Sequence, residues 1–348
     1  MKTADSSLLN SVRVALSAGV VLAALGLFAA SGASSAAADA PAPPAALAGR
    51  KIHLACILKD KTDVYWKSVE AGAVAAQKEA RAAGIDLTIT FDAPPKNGDT
   101  EAQITMMETY LGQNVDGILL APADFTGLVV PVEKAKKSNI PVIIVDSELD
   151  SADRVAFVGT NNKRGGEIAG QNLARIMGDR GNAVLLRFDV KSAACNDREQ
   201  GFLDEMKRHP NIKVISDNQY AGVTRDTALD KATNLLQSLP GKVDGIFTPN
   251  ESSTGGTLLA LENMKLTGRI KFVGFDAGEF NLKGLQSGHI DGLLVQNPHA
   301  IGYEAVNAML DKLAGKTVPP NIDTGATFVT KDNMGTPEVK KLLDSMKQ

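Results

Sequence analysis

The stretch VDGILLAP at residues 115–122 returns as VDGIFTPN at residues 243–250. Two further pairs lie at nearly the same spacing: NIPVIIVDS (139–147) with RIKFVGFDA (269–277), and GIDLTITFD (84–92) with NIKVISDNQ (211–219). Because the offset stays between 127 and 130 residues, the matches indicate an internal duplication. The sequence therefore predicts two copies of one structural unit, with a boundary near Gly159 and Thr160.

Each copy alternates short apolar runs with stretches of helical period. In the first copy the apolar runs lie at 52–58, 85–91, 115–121 and 140–146. The segments between them carry apolar residues three and four positions apart, as amphipathic helices do. Alternating strands and helices favour a parallel sheet covered on both faces, so the predicted fold class is α/β. Two such units side by side would enclose a cleft.

The first 50 residues differ in composition from the rest of the 348-residue chain. Basic residues precede seventeen uncharged residues at 14–30, and small residues follow up to an A-x-A pattern that ends at Ala38. This order is typical of a secretory signal peptide, predicted here as residues 1–38, with 39–50 as a linker. A retained membrane anchor is the alternative, but the Ala, Ser and Gly content before Ala38 favours cleavage.

Composition and motifs exclude several classes of function. A net charge of −3 provides no basic surface, so we expect no nucleic-acid partner. Cys56 and Cys195 lie far apart and are predicted to be unpaired, and the four histidines are scattered without zinc-site spacing. Phosphate-loop, nucleophile-elbow and dinucleotide motifs are absent from the sequence, so no cofactor is expected. Gly165 and Gly166 do not fit the dinucleotide-binding pattern, and they indicate close packing at the start of a helix.

Two acidic residues follow equivalent strands of the two copies. Ligands of open parallel sheets bind beyond the carboxyl ends of the strands, so Asp146 and Asp276 would face one cleft from opposite sides. A carboxylate can accept hydrogen bonds from neighbouring hydroxyls of a polyol. A helix N-cap is the simpler interpretation of a single aspartate. Recurrence at the same place in both copies favours ligand contact.

Two adjacent aromatic residues follow the first predicted strand. Tyr65 and Trp66 come after the polar stretch KDKTD, which favours a position at the cleft mouth over a core position. An aromatic face complements the C–H face of a sugar ring. Further candidates near strand ends carry side chains that can bond hydroxyl groups: Asn196, Arg198, Asn250 and Gln296.

Together these motifs resemble the ribose-binding-protein class of periplasmic sugar-binding proteins, the type I solute-binding proteins of ABC transporters. The resemblance covers about residues 50–348 and is carried by YWKSVEAGA, VDGILLAP, NIPVIIVDS, GTNNKRGGEIAG, REQGF, VDGIFTPNE, FVGFDA, VQNPHAIG and FVTKDN. It implies two Rossmann-like lobes joined by a hinge of three crossings. The first lobe would comprise 51–159 and 298–325, and the second 160–297 and 326–348.

The resemblance also implies roles for individual residues. It matches Tyr65 and Trp66 to the stacking aromatics and Asp146 to the first-lobe carboxylate. The implied polar contacts are Asn250, Asp276 and Gln296 in the second lobe and Asp63 just before the aromatics. Three positions depart from the ribose-binding pattern: Ser147 and Asn196 replace arginines, and Ala121 replaces an asparagine. These departures favour a different sugar, a sugar alcohol or another small polar metabolite over ribose.

The expected protein is a non-catalytic, monomeric receptor in the periplasm or another extracytoplasmic space. It would bind a sugar-like ligand, close around it and deliver it to the membrane permease of an ABC transporter. Two alternatives remain open. One is a sensor component for a membrane kinase or chemoreceptor, and the other is an exported carbohydrate-active enzyme that uses Asp146 and Asp276 as acid and base.

Overall fold

The structure, a computed structural model, describes residues 43–61, 64–96 and 98–346. The predicted signal peptide and Asp63 lie outside these residues. The strands are β1 Lys51–Ile57, β2 Asp86–Asp92, β3 Gly117–Leu120, β4 Val142–Val145, β5 Ala156–Gly159, β6 Gly181–Arg187, β7 Ile212–Tyr220, β8 Gly245–Phe247, β9 Lys271–Phe275, β10 Gly292–Gln296, β11 Asn321–Asp323 and β12 Ala326–Val329. The α-helices are α1 Val64–Ala82, α2 Thr100–Gly112, α3 Val129–Lys137, α4 Asn162–Ile176, α5 Ala193–Met206, α6 Arg225–Ser238, α7 Glu251–Asn263, α8 Glu279–Ser287, α9 Pro298–Leu313 and α10 Pro337–Ser345.

The strands of the described chain form two six-stranded sheets with the same order. The first sheet runs β11-β5-β4-β3-β1-β2 and the second β12-β10-β9-β8-β6-β7. The duplicated sequence stretches fall on matching strands, since β2, β3 and β4 correspond to β7, β8 and β9. The predicted α/β fold with two similar parallel-sheet lobes is therefore confirmed. We call the first sheet with its helices the first lobe, and the second sheet with its helices the second lobe.

The repeated Val-Asp-Gly does the same work in both lobes. In the first lobe a carboxylate oxygen of Asp116 accepts a hydrogen bond from the backbone N–H of His53 at 2.8 Å. In the second lobe Asp244 accepts from the backbone N–H of Asn182 at 2.7 Å. The backbone N–H of each aspartate donates back to the carbonyl oxygen of the same partner. The motif thus joins the start of β3 to β1 and the start of β8 to β6, which explains its recurrence.

Three segments of the described chain cross between the lobes. They join β5 to α4, β10 to α9 and β11 to β12. Asparagines cap both helices that follow a crossing, Asn161 at α4 and Asn297 at α9. In the third crossing the chain runs from β11 directly into β12. Strand β12 starts at the crossing and runs away from the cleft, whereas β10 runs toward it, so the two pair antiparallel. Strand β11 is parallel to β5.

The first two crossings each lead the chain into a helix that packs in the lobe it enters. Helix α9, which follows β10 of the second lobe, packs its apolar face into the first-lobe core beside α1. Helix α4, which follows β5 of the first lobe, packs into the second-lobe core. The two lobes are therefore completed by helices exchanged across the hinge.

Glycines bring the paired helices of each lobe into backbone contact. A Cβ atom at Gly166 of α4 would overlap the carbonyl oxygen of Arg198 in α5, and one at Gly201 of α5 would overlap that of Lys163. Gly72 and Gly302 make the equivalent contact between α1 and α9. The close packing predicted at Gly166 is confirmed, and it fixes α5 firmly against α4.

The segment just before β1 is part of the first-lobe core. Residues Ala45–Leu47, within the predicted linker, form a 3-10 turn. The side chain of Leu47 is 1% exposed and packs against the apolar face of the first lobe. The folded unit therefore begins before the first strand.

None of the helices in the described residues is long and apolar enough to cross a membrane.

Candidate ligand-binding cleft

A cavity of about 70 Å³ lies between the lobes, at the carboxyl ends of the strands. Both lobes contribute to its wall. The lining side chains are Lys59, Tyr65, Trp66, Ala123 and Asp146 from the first lobe and Phe188, Ser192, Ala194, Cys195, Arg198, Asn250, Glu251, Asp276 and Gln296 from the second. Seven of the nine predicted site residues are among them, so the duplication does bring the two strand-end aspartates to one cavity.

The first-lobe wall is a buried cluster around Asp146. The phenol of Tyr65 donates to one carboxylate oxygen at 2.6 Å, and the ammonium of Lys59 donates to the other at 3.2 Å. Lys59 also lies 5.6 Å from the centroid of the Trp66 ring, within cation–π range. Tyr65 and Trp66 meet edge to face, with ring centroids 5.0 Å apart and planes at 83°. Both rings belong to the buried first-lobe core and also line the cavity, so the prediction of a cleft position in place of a core position is wrong.

The phenol of Tyr65 is held in its neutral form. Burial is the largest cause, and the negative charges of Asp146 and Asp276 add to it. Together they raise the pKa of Tyr65 well above its usual value, although the charge of Arg198 acts in the opposite direction. Tyr65 therefore remains a hydrogen-bond donor to Asp146 at neutral pH.

The two strand-end aspartates share an unusual backbone conformation. Asp146 has φ of 67° and Asp276 has φ of 65°, both in the left-handed region. Non-glycine residues seldom adopt this region, and its cost is characteristic of functional sites. Among the described helices, none has either aspartate as its side-chain cap. Even α8, which begins closest after Asp276, has Gly278 at its cap position. The alternative that these acids are helix caps is therefore wrong.

Arg198 organises the second-lobe wall. Its guanidinium lies 3.9 Å from the centroid of the Phe275 ring. Its donors reach three oxygens, those of Asn162 (2.8 Å), the Pro249 carbonyl (2.9 Å) and Gln296 (2.7 Å). Gln296 in turn donates to Asp276 at 2.9 Å. A continuous chain of bonds thus fixes the orientation of the second-lobe carboxylate.

Asn250 has a double role. Its side-chain oxygen accepts from the backbone N–H of Ser253, which caps α7, and its amide nitrogen donates to Ser252. It also lines the cavity. The capping role fixes the amide at the end of β8, where the sequence predicted a ligand contact.

The structure does not bring Asn196 to the cavity. Its amide donates to the carbonyl oxygen of Val190 at 2.8 Å, and the preceding residue, Cys195, lines the cavity instead. Successive helix residues point about 100° apart, so only one of two neighbours can face the cleft. Burial raises the pKa of the Cys195 thiol to about 12. Both cysteines are buried, and both are unpaired, as predicted.

Sequence reasoning missed Lys59 and Asn162. Lys59 lies in the polar stretch after β1, and as the first charged residue beyond the strand it could have been selected by the strand-end rule. Asn162 lies outside the cavity wall at the start of α4, and its contact with Arg198 spans 36 residues. No pattern in the sequence signals that contact.

In the described part of the chain, no cluster of His, Cys, Asp and Glu could hold a metal ion.

The fold has counterparts among known proteins. A family model described as periplasmic binding protein domain matches residues 54–317. The D-allose-binding periplasmic protein of Escherichia coli is 28% identical over 289 residues, which cover 80% of this chain and 90% of that protein.

Two solved structures from Agrobacterium are similar over nearly their whole length. A carbohydrate transporter solute-binding protein from Agrobacterium radiobacter in complex with D-arabinose has a TM-score of 0.77 at 33% identity. The alignment covers 84% of this chain and 98% of that one. An ABC transporter solute-binding protein from Agrobacterium vitis with bound D-fucose has a TM-score of 0.77 at 31% identity, over 83% and 98% of the two chains. This chain belongs to the periplasmic binding protein domain family.

Proposed function

We propose that this protein is an extracytoplasmic solute-binding protein that captures a sugar or sugar-like polyol between its lobes and delivers it to the permease of an ABC transporter. The observation that carries the proposal is the pair of strand-end aspartates, Asp146 and Asp276, at one cavity with the Trp66 ring. Carboxylates accept hydrogen bonds from hydroxyl groups, and an aromatic face packs on the C–H groups of a sugar ring.

Relatives support the class of ligand. Proteins of similar sequence and fold are named for D-allose or are solved with D-arabinose or D-fucose. They are binding proteins, and this protein is likewise a binding protein and not an enzyme. The comparisons do not favour the sensor or the carbohydrate-active enzyme.

The departures from the ribose-binding pattern support a ligand other than ribose. Asn196 bonds the Val190 carbonyl, and the Ser147 hydroxyl accepts from the backbone N–H of Ala194. Ala121 is buried and carries no polar side chain. These three positions therefore lack the long polar side chains that the ribose-binding pattern places there.

The remaining expectations form part of the same proposal. Residues 1–38 are removed on export, and the mature chain acts as a monomer in the periplasm without a nucleic-acid partner. The first lobe extends over 51–159 and 298–325, and the second over 160–297 and 326–348. The sheet membership of β11 and β12 supports the change of lobe between residues 323 and 326.

A thermal-shift screen followed by calorimetry tests the function. Purified protein is heated with sugars, sugar alcohols and amino compounds, because a ligand at a hundred times its dissociation constant adds about 2.7 kcal/mol to the free energy of unfolding. The dissociation constant of each hit is then measured for wild type and Asp276→Asn. Asparagine keeps the tolerance for the left-handed backbone and removes the charge.

We expect Asp276→Asn to weaken binding by about ten- to a hundredfold, since a bond to a charged group contributes about 1.5–3 kcal/mol. The exposed second-lobe acid Asp217 provides the matched control, and Asp217→Asn should bind as wild type does. Unchanged affinity of Asp276→Asn would show that the cleft assignment is wrong. Product accumulating during prolonged incubation with a sugar would show an enzyme instead.

A further inference from the structure

A serine of the first lobe caps a helix of the second. Ser147 directly follows Asp146, and its side chain is 1% exposed. Its hydroxyl oxygen accepts a hydrogen bond from the backbone N–H of Ala194 at 3.3 Å. Ala194 lies in the first turn of α5, whose N–H groups have no partner within the helix. The hydroxyl of the ordinary cap, Ser192, accepts from the backbone N–H of Cys195. Ser147 satisfies a further N–H, that of Ala194, from across the cleft.

Two more contacts join the lobes beside this bond. The backbone N–H of Phe125 in the first lobe donates to the carbonyl oxygen of Lys191 in the second at 3.2 Å. The ammonium of Lys191 lies 3.8 Å from a carboxylate oxygen of Asp124. On the first-lobe side, the N–H of Asp150 donates to the carbonyl oxygen of Phe125, which ties this loop to the segment after Ser147. We call these contacts of residues 124, 125, 147, 191 and 194 the rim contact.

We propose that Ser147 is a positioning residue for closure, which holds the two lobes together at the rim and so sets how long a ligand stays bound. The proposal rests on the proposed function, because it concerns the closing of the same cleft. Ser147 occupies the position at which the ribose-binding pattern has an arginine. In this protein the position serves a bond between the lobes.

The geometry also couples the rim to the cavity wall. Ser147 adjoins Asp146, so the same left-handed turn that presents the acid to the cavity directs the serine at α5. Helix α5 carries Cys195 and Arg198 of the second-lobe wall. A bond from Ser147 to the first turn of α5 therefore fixes the separation between the two walls.

A bond between the lobes stabilises the closed arrangement and leaves the open arrangement unaffected. A hinge motion separates the lobes as rigid bodies, so Ser147 and Ala194 part when the cleft opens. Loss of one neutral hydrogen bond should lower the closed population by about two- to tenfold. Because encounter occurs with the open cleft, the loss should raise the dissociation rate of a ligand and leave its association rate unchanged.

Disulfide trapping measures the closed population without any ligand. Asp124→Cys and Lys191→Cys place two thiols at the rim, and under a fixed oxidant their cross-linking rate reports how often the lobes meet. Cys195 lines the cleft, so the single variants Asp124→Cys and Lys191→Cys, each of which keeps both natural cysteines, provide the background rate. The double-cysteine protein with Ser147 is the parent. Its rate is compared with those of the same protein carrying Ser147→Ala, Ser147→Thr or, as a matched control, Ser138→Ala at an exposed first-lobe serine.

We expect Ser147→Ala to slow cross-linking by about two- to tenfold. Ser147→Thr keeps the hydroxyl and should lie nearer to the parent, and Ser138→Ala should equal it. Thermal unfolding of each variant checks that the lobes themselves are intact. A parent-like rate for Ser147→Ala would overturn the proposal.

A second arm with D-arabinose and D-fucose separates this proposal from the proposed function. If either sugar binds, it should speed cross-linking in the parent, and Ser147→Ala should release it about two- to tenfold faster with an unchanged association rate. Slower cross-linking of Ser147→Ala, together with no response to any sugar of the screening panel, would uphold the rim contact and overturn sugar capture. Equal release rates from parent and Ser147→Ala would overturn the role of Ser147.

Discussion

Asp146 and Asp276 show how one residue type meets two demands. Each ends a strand with φ near 65°, a conformation that costs most L-residues about 1–2 kcal/mol but is tolerated by aspartate and asparagine. The turn directs each side chain out of the sheet and into the cavity. The backbone geometry favours aspartate at both positions, and the proposed contact with ligand hydroxyl groups would favour it too.

Tyr65 should make stability depend on alkaline pH. Burial and the charges of Asp146 and Asp276 raise its pKa above the unfolded value, with Arg198 opposing and Lys59 nearby. A raised pKa gives stability that is fully present below the unfolded value of about 10 and is lost as the pH rises toward the folded value. The stability of wild type, measured by urea unfolding, should therefore decline more steeply above about pH 10 than that of Tyr65→Phe, which keeps the decline caused by the buried thiols of Cys56 and Cys195. Parallel profiles for the two proteins would contradict the neutral, buried phenol.

Side-chain direction was the weak point of the sequence analysis. The repeat located the ends of β4, β8 and β9 and with them Asp146, Asn250 and Asp276, and the apolar run before Gln296 located the end of β10. Within α5, however, the sequence could not decide between Cys195 and Asn196, because the answer depends on where the helix begins. Ser192 sets that start by its cap, and it turns Cys195 toward the cavity.

At the scale of elements, the pairing of α4 with α5 positions the second-lobe wall. Gly166 lies against the turn of α5 that carries Arg198, so the separation of the helices decides where the guanidinium lies. The equivalent pair α1 and α9 holds the helix that carries Tyr65 and Trp66. Each lobe thus fixes its binding helix against the helix that follows a crossing.

Gly166→Ala should disturb both stability and binding. The added methyl group overlaps backbone atoms of Arg198, so the helices must separate, at a cost of about 1–3 kcal/mol. Gly112→Ala is the matched control, because it lies in α2 with open space around it and should be neutral or slightly stabilising. Urea unfolding measures stability, and calorimetry with a sugar found by screening measures affinity. Equal stability of the two variants would contradict a tight α4–α5 contact.

The elements themselves were largely predictable. Apolar runs such as 140–146 contain β4, because a buried parallel strand needs continuous apolar residues. The antiparallel β12 was not predicted, since its direction follows from the path of the third crossing and not from its composition. The burial of Leu47 was also missed, because proline and alanine surround it and indicate a linker.

At the scale of the whole molecule, the first and third crossings are hydrogen-bonded to each other. The side-chain oxygen of Asp323 accepts from the backbone N–H of Asn161 at 3.0 Å and from that of Gly325 at 2.9 Å. The hydroxyl of Thr160 donates to the carbonyl oxygen of Gly325 at 3.2 Å. The first and third crossings are therefore joined by direct hydrogen bonds at the hinge.

Asp323→Ala should loosen the hinge. It removes the acceptor that joins the two crossings, and for an exposed carboxylate we expect a loss of about 1 kcal/mol in the free energy of unfolding. The radius of gyration of the ligand-free protein, measured by X-ray scattering, should rise. Asp323→Asn retains an acceptor oxygen and should match wild type. A radius unchanged in Asp323→Ala would contradict a role for this bond in restricting the lobes.

The exchange of α4 and α9 between the lobes has a consequence for synthesis on the ribosome. Five of the six strands of the first-lobe sheet precede Thr160, yet helix α9, which covers one face beside α1, begins at Pro298, about 140 residues after β5. At about 5–20 residues per second, that surface stays uncovered for roughly 7–28 s of translation. The nascent first half therefore emerges with part of an apolar face open, and its lobe is completed only when α9 and β11 have been synthesised.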